Sequence, residues 1–232
     1  MAEVTISLPG GESFMAYLAT PSSGSGPGIV LIQEIFGVNQ VMRDIADGHA
    51  ANGYTVICPD LFWRQEPGIQ LTDQSEAEWG RAFELYQGFD EAAGVDDLNA
   101  TLGYLRGHDA CEGKVGAVGY CLGGKLAYLM ATRTDADCNV GYYGVGIENA
   151  VNESGSINTP LMLHVAEKDQ FCPPEAQAKI HEALDGHANV TIHDYASVDH
   201  AFARVGGEHY DKAAADLANE RTAAFFSQHL GG

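Results

Sequence analysis

Residues Gly119-Tyr120-Cys121-Leu122-Gly123 place a thiol between two glycines at the spacing of a nucleophile elbow, with cysteine where serine more often stands. The spacing has a steric cause. A residue on such a strand-to-helix turn is forced into a strained backbone conformation, and glycines two before and two after leave room for the adjoining strand and helix. The strain lifts the sulfur clear of the backbone. A helix start beneath it offers unpaired N–H groups and the positive end of the helix dipole, and both favour a thiolate. The competing readings are an inert buried cysteine before a glycine-rich helix and a phosphate-binding loop. Lys125 follows Gly124 without the GxxxxGK[ST] spacing, which speaks against the second.

A thiol nucleophile needs a base, and the base needs a partner that orients it. On an elbow of this kind the acid and then the histidine follow the nucleophile along the chain, on loops after later strands. The strand-like run Leu161 to Val165 ends in Ala166-Glu167-Lys168-Asp169, and Val190 to Tyr195 ends in Ala196-Ser197-Val198-Asp199-His200. Asp169 lies deeper in its loop than Glu167 and is the preferred acid; its competing role is a cap for the helix after Pro173-Pro174. Among nine histidines, His200 alone combines a post-strand loop, a small following residue and a place downstream of the acid. His181, His187, His209 and His229 read as surface residues, and His164 and His193 as side chains inside strands. No convincing metal set emerges, although Cys121, Cys172 and His200 could meet, and no cofactor is called for.

These residues need a scaffold that delivers them to one edge. Val4 to Leu8 and Phe14 to Ala19 flank a Gly10-Gly11 turn, a hairpin signal. Gly28 to Gln33 is a near-continuous apolar run, as in a strand buried on both faces. A helix over Val41 to Ala51 is predicted, capped by Asn39 and closed by Gly53, then a strand over Tyr54 to Cys58. A long helical region from about Ser75 to Arg106 is expected to break near Gly88 and Gly94. Strand and helix then alternate: Lys114 to Gly119, Leu122 to Thr132, Val140 to Tyr143, Leu161 to Val165, Pro174 to Leu184, Val190 to Tyr195 and Lys212 to His229. The alternation predicts a single α/β domain over residues 1–232, with a mostly parallel sheet, helices on both faces and the hairpin at one edge. Chemistry in such sheets sits at the carboxyl ends of the strands.

Composition narrows the partners. The 232 residues carry 12 Lys+Arg against 32 Asp+Glu, a net charge of −20, and the basic residues never cluster. That argues against nucleic acid and against an anionic membrane surface. A hydrophobic share of 45% marks a packed domain rather than a disordered acidic chain. No apolar run approaches the roughly 18 residues of a membrane span. Met1 to Leu8 shows no secretory pattern, and five scattered cysteines without a CxxC pair suit a reducing cytoplasm; a monomer or small homo-oligomer is expected.

With these residues in view, the chain resembles the dienelactone hydrolase (carboxymethylenebutenolidase) family of the α/β-hydrolase fold. The likeness is carried by Gln33-Glu34-Ile35-Phe36-Gly37, Pro59-Asp60-Leu61, Gly116 to Gly124, Gly141-Tyr142-Tyr143-Gly144, Asp169 and His200-x-Phe202-x-Arg204. The resemblance implies Cys121 as nucleophile, His200 as general base and acid, and Asp169 as its orienter. It implies that Glu34 gates the nucleophile, so that thiolate forms only with substrate present, which would protect the sulfur from oxidation. It implies an oxyanion hole from the backbone N–H groups of Ile35 and Leu122.

Arg204 matches the family's carboxylate-binding arginine, against the reading as a surface arginine. A second arginine of the family aligns with Trp79, and Arg81 stands two positions on, which is not the same helix face. The implied reaction opens dienelactone to maleylacetate through a thioester, within degradation of aromatic compounds. A broader carboxylesterase on the same triad, or a non-catalytic ligand-binding module, are the alternatives; the full set of Cys121, Asp169 and His200 argues against the last.

Overall fold

Two compact units divide the chain, one ending at Val115 and the other covering Gly116–Gly231, and the computed structural model describes residues 2–231. In the first unit, β1 (Ala2–Ser7) and β2 (Ser13–Ala19) form the expected antiparallel hairpin. Strand β4 (Thr55–Pro59) then pairs antiparallel with β2 and parallel with β3 (Gly26–Ile32). The run Ile29 to Ile32 is fully buried, as an apolar strand covered on both faces must be. Helix α1 (Gln40–Ala51) starts where Asn39 accepts the Met42 N–H at 3.2 Å, a cap worth about 1 kcal/mol. Gly53, at φ +99°, turns the chain back into β4.

The long helical region is two helices, α2 (Glu76–Gln87) and α3 (Glu91–Arg106), capped by Ser75 and Asp90. The break falls at Gly88 as expected. Gly94 is no break and lies within α3: a Cβ there would stand 2.3 Å from the tip of the Phe89 ring. This glycine makes room for an aromatic ring rather than ending a helix, a demand that helix propensity does not signal.

The second unit takes the end of β5 (Cys111–Tyr120) and continues with α4 (Leu122–Arg133), β6 (Asn139–Tyr142), β7 (Leu161–Ala166), α5 (Pro174–Leu184), β8 (Val190–Tyr195) and α6 (Lys212–Leu230). Two short 3-10 turns, Ile147–Asn149 and Val151–Ser156, precede β7. Strands β5 to β8 are parallel neighbours in chain order. Their register opposes Tyr120 to Tyr142, Tyr142 to His164 and His164 to His193. The rings of that row touch in sequence, with centroids 4.6, 4.3 and 5.8 Å apart. Because the strands are parallel and in register, Cys121, Tyr143, Asp169 and His200 all follow carboxyl ends on one edge of this unit.

Candidate active site

Cys121 has φ +56° and ψ −115°, a strained conformation for a residue with a Cβ, worth on the order of 1–3 kcal/mol. The glycines around it meet the demand that the sequence spacing implied. A Cβ on Gly119 would sit 2.0 Å from the Gly123 carbonyl oxygen, and one on Gly124 would sit 2.3 Å from the Tyr142 oxygen. The turn is tied down by the Cys121 N–H, which donates to that same Tyr142 carbonyl at 3.1 Å. Helix α4 begins at Leu122 with no side chain capping it, so its first N–H groups have no acceptor within the helix.

Asp169 and His200 meet. His200 Nδ1 lies 2.8 Å from Asp169 Oδ2, and the other carboxylate oxygen accepts the Phe171 N–H at 2.8 Å. The aspartate is held inside its own turn by Asp169 N–H to Ala166 O and Cys172 N–H to Asp169 O, both 3.2 Å. It does not cap α5, whose first turn follows Pro173 without a side-chain cap. Glu167 is occupied elsewhere, accepting the Ser197 N–H at 2.6 Å. That bond and Lys168 N–H to Val198 O, at 2.9 Å, fasten the β7 and β8 loops to each other. Ser197 and Ala201 take positive φ, +65° and +62°, which turns the chain sharply on both sides of His200.

Burial alone would lower the His200 pKa, but the charge of the Cys121 sulfur, the Asp169 hydrogen bond, a hydrogen bond to Cys121 and the Asp169 charge raise it to about 10. The Cys121 sulfur and the Asp169 carboxylate thus both favour the protonated form of the imidazole. The Cys172 thiol beside it behaves oppositely: burial, with Asp169 and Glu148 adding, pushes it up to about 12. Cys172 is therefore a poor nucleophile.

Phe171 and Tyr143 present ring edges to His200 at 4.9 and 5.1 Å. Sequence reasoning assigned neither a role; Tyr143, with φ +37° and inside the Gly141 to Gly144 run, was the one with a visible signal. Arg204 lies on the turn after His200, its N–H donating to Ala201 O at 2.9 Å, and is only 7% exposed, so it is no surface arginine.

In the first unit, Glu34 and Ile35 lie in the loop after β3, both buried. Gln33 anchors that loop: its Oε1 accepts the Leu61 N–H at 3.0 Å and its Nε2 donates to Glu34 O at 3.2 Å. The Gln33 to Gly37 and Pro59 to Leu61 segments thus hold each other. Gly37, at φ +78°, approaches Ile69, whose carbonyl oxygen would be 2.0 Å from an added Cβ. Trp79 donates to Asp73 O at 3.0 Å and packs edge-on to Phe36 at 4.9 Å. The Arg81 guanidinium is shared by Glu66 and Glu84, at 2.5 and 2.7 Å. Among the described residues, no group of three or more His, Cys, Asp or Glu is arranged to hold a metal ion, and no helix is long and apolar enough to cross a membrane.

Comparison with known proteins bears on the family and the fold. Residues 14–230 match the model of the dienelactone hydrolase family. An Azospirillum brasilense protein named "Putative carboxymethylenebutenolidase" is 54% identical over 97% of this chain and 99% of its own. Carboxymethylenebutenolidase 1 of Cupriavidus pinatubonensis is 40% identical over 94% of this chain and 93% of its own. The crystal structure of a "Putative Dienelactone Hydrolase" from Klebsiella pneumoniae superposes with a TM-score of 0.86 at 26% identity, covering 98% of both chains. The mostly parallel sheet and its edge hairpin are thus those of an α/β hydrolase, and the chain belongs to the dienelactone hydrolase family, enzymes that hydrolyse lactone and ester bonds.

Proposed function

We propose that Cys121, His200 and Asp169 form a catalytic triad that opens the lactone ring of dienelactone, giving maleylacetate through a thioester. The observation that carries this reading is the buried His200 Nδ1 held 2.8 Å from the Asp169 carboxylate, past the same strand ends that present the strained Cys121 turn. The Cys121 thiolate attacks the lactone carbonyl carbon, and the carbonyl electron pair moves onto oxygen. That oxyanion is stabilised by backbone N–H groups, one from Leu122 at the α4 start and, on the resemblance alone, one from Ile35. Collapse breaks the ring C–O bond, and the departing enolate takes the His200 proton. Neutral His200 then removes a proton from water, whose hydroxide attacks the thioester. The tetrahedral adduct collapses with the thiolate as leaving group, the acid loses its proton to solvent as carboxylate, and the Cys121 sulfur and His200 are free for the next substrate.

Asp169 keeps the imidazole in the orientation that serves both proton transfers. Glu34 is assigned the gating role on the resemblance, supported by its burial and by the fixed loop around it. Arg204 is the carboxylate-binding residue: a buried guanidinium supplies the bidentate contact that a globally acidic protein otherwise lacks. Between Arg81 and Trp79, the pairing of Arg81 with Glu66 and Glu84 favours Trp79 as an apolar wall. The names of two relatives, carboxymethylenebutenolidase and 2-oxo-3-(5-oxofuran-2-ylidene)propanoate lactonase, describe unsaturated lactones bearing a carboxylate, which supports that substrate class.

The family match runs through both units and supports one hydrolase domain. Five free thiols support a cytoplasmic setting, in which aromatic compounds are degraded. The second reading, a broader carboxylesterase on the same triad, is favoured by the aromatic surroundings of Trp79. Steady-state comparison of dienelactone with neutral aryl esters decides between them. A kcat/KM for dienelactone at least about a hundredfold higher, on the order of one buried charge-assisted bond or more, supports the lactonase. Equal values support the esterase.

A further inference from the structure

Beneath the elbow a chain of polar groups, buried at its middle and reaching solvent at Asn219, joins α6 to β8, β7 and β6, and none of its members takes part in the proposed proton transfers. Arg221 Nη1 donates to the Tyr195 hydroxyl at 3.1 Å, Tyr195 Oη lies 2.8 Å from His164 Nδ1, and His164 Nε2 lies 3.0 Å from Thr222 Oγ1. Thr222 Oγ1 is 2.6 Å from Tyr142 Oη, which donates to Asn219 Oδ1 at 3.1 Å. Thr222 does not spend its hydroxyl on its own helix, as Thr101 does on Asp97 O at 2.7 Å.

One hydrogen per hydroxyl fixes the direction of every link. An arginine only donates, so Tyr195 accepts from it and has His164 Nδ1 as acceptor for its own proton. Nδ1 then carries no hydrogen, and Nε2–H donates to Thr222. The Thr222 proton goes to Tyr142, and the Tyr142 proton to Asn219. The reverse order would leave the proton of buried Tyr195 without a partner inside the chain, which is costly there, whereas at exposed Asn219 water replaces a lost bond.

We propose that this one-way chain fixes His164 as the Nε2–H tautomer and makes Thr222 and His164 positioning residues for Cys121, by holding Tyr142. The link to the nucleophile is short. The Tyr142 carbonyl accepts the Cys121 N–H at 3.1 Å, the His164 carbonyl accepts the Tyr143 N–H at 2.8 Å, and the Tyr143 ring stands edge-on to His200. The Tyr142 ring also lies against Tyr120, the residue before the nucleophile, at 4.6 Å. Fixing the tyrosine at its hydroxyl end and along its ring leaves its backbone little freedom, and the strained Cys121 turn hangs from that backbone. The positioning role rests on Cys121 being the nucleophile; the tautomer does not.

The test has two arms on the full-length protein. Long-range 1H–15N spectra of the histidine rings are expected to show His164 protonated at Nε2 alone; protonation at Nδ1 overturns the chain. In the second arm, Thr222→Val is expected to lower kcat about tenfold or more with KM within about twofold, as misplacement of a reacting group by less than an ångström does. Thr222→Ser restores kcat, and Tyr142→Phe added to Thr222→Val costs nothing further. A purely structural role would lower the unfolding temperature but leave kcat of the folded fraction unchanged. Should Thr222→Val not fold, Tyr142→Phe alone, which removes one oxygen and keeps the ring, carries the same expectation. Full kcat in the folded variant, while Cys121→Ala is inactive, overturns the positioning role and leaves the triad standing. Retained activity in Cys121→Ala overturns the triad, and the spectra still decide the tautomer.

Discussion

His164 and His200 are both buried in the second unit, each near the end of a parallel strand or just past one, and their acid–base behaviour diverges. His164 is well below the ordinary imidazole range because burial is reinforced by the charges of His193 and Arg221, while its hydrogen-bond partners, Tyr195 and Thr222, are neutral hydroxyls. His200 suffers the same burial and still rises to about 10, because the Cys121 sulfur and the Asp169 carboxylate both favour its charged form. Burial sets the direction only when no charge answers it. The difference separates a histidine that holds structure from one that can hold and release a proton.

The largest break in this contrast is His200→Gln, which removes the group that moves protons in both half-reactions. Its kcat/KM for the lactone is expected to fall by on the order of 10^4 or more. His164→Gln, measured alongside it in the same assay, is expected to lose far less. Next comes Asp169→Asn, which keeps the shape and removes the charge. A fall in kcat of roughly 10^2–10^4 is expected, with the His200 titration moving to lower pH in NMR. Arg204, four residues after His200, is expected to act on binding rather than on proton transfer. Arg204→Ala is expected to raise KM for carboxylate-bearing lactones about 10- to 100-fold while leaving neutral esters within about threefold. An equal effect on both substrates would end the carboxylate-binding role.

The pH dependence of stability sharpens the comparison because the two signs are opposite. The folded His200 pKa is raised above its unfolded value near 6.5, so its contribution is full below that pH and is lost as pH rises through about 10. The folded His164 pKa is lowered, so its contribution is full above about 6.5 and is lost as pH falls below it. Denaturant midpoints are expected to decline more steeply on the alkaline side in the wild type than in His200→Gln. They are expected to decline more steeply on the acid side than in His164→Gln. The smallest effect belongs to Cys111→Ala, distant in chemistry from either histidine, whose activity is expected to stay within about twofold. A loss equal to that of Cys121→Ala would undo the elbow argument.

The elbow was legible because its cause is local: two glycines two residues either side of Cys121 leave a spacing that any reader of the chain can find. The order of strands and helices was legible for the same reason, down to β8 at Val190–Tyr195. Gly94 misled because the ring it accommodates, Phe89, lies in the turn before α3 and no composition rule encodes that contact. Asp169 could be ranked over Glu167 only by depth in its loop; the structure adds the reason, since Glu167 is bound to the Ser197 N–H. The burial of Arg204 and the Thr222–Tyr142 bond, 80 residues apart, depend on contacts between distant elements, which residue patterns do not carry.

The central claim is an acyl group on the Cys121 sulfur. Because ring opening leaves the enol tethered to the acyl group, the adduct should carry the whole mass of the lactone, with no leaving group lost. Mass spectrometry of His200→Gln, acid-quenched during reaction with dienelactone and digested, is the direct measurement. The account predicts that mass on the peptide containing Cys121 and its absence in the double variant with Cys121→Ala. A full-mass adduct on another residue, or wild-type turnover that persists in Cys121→Ala, would contradict it.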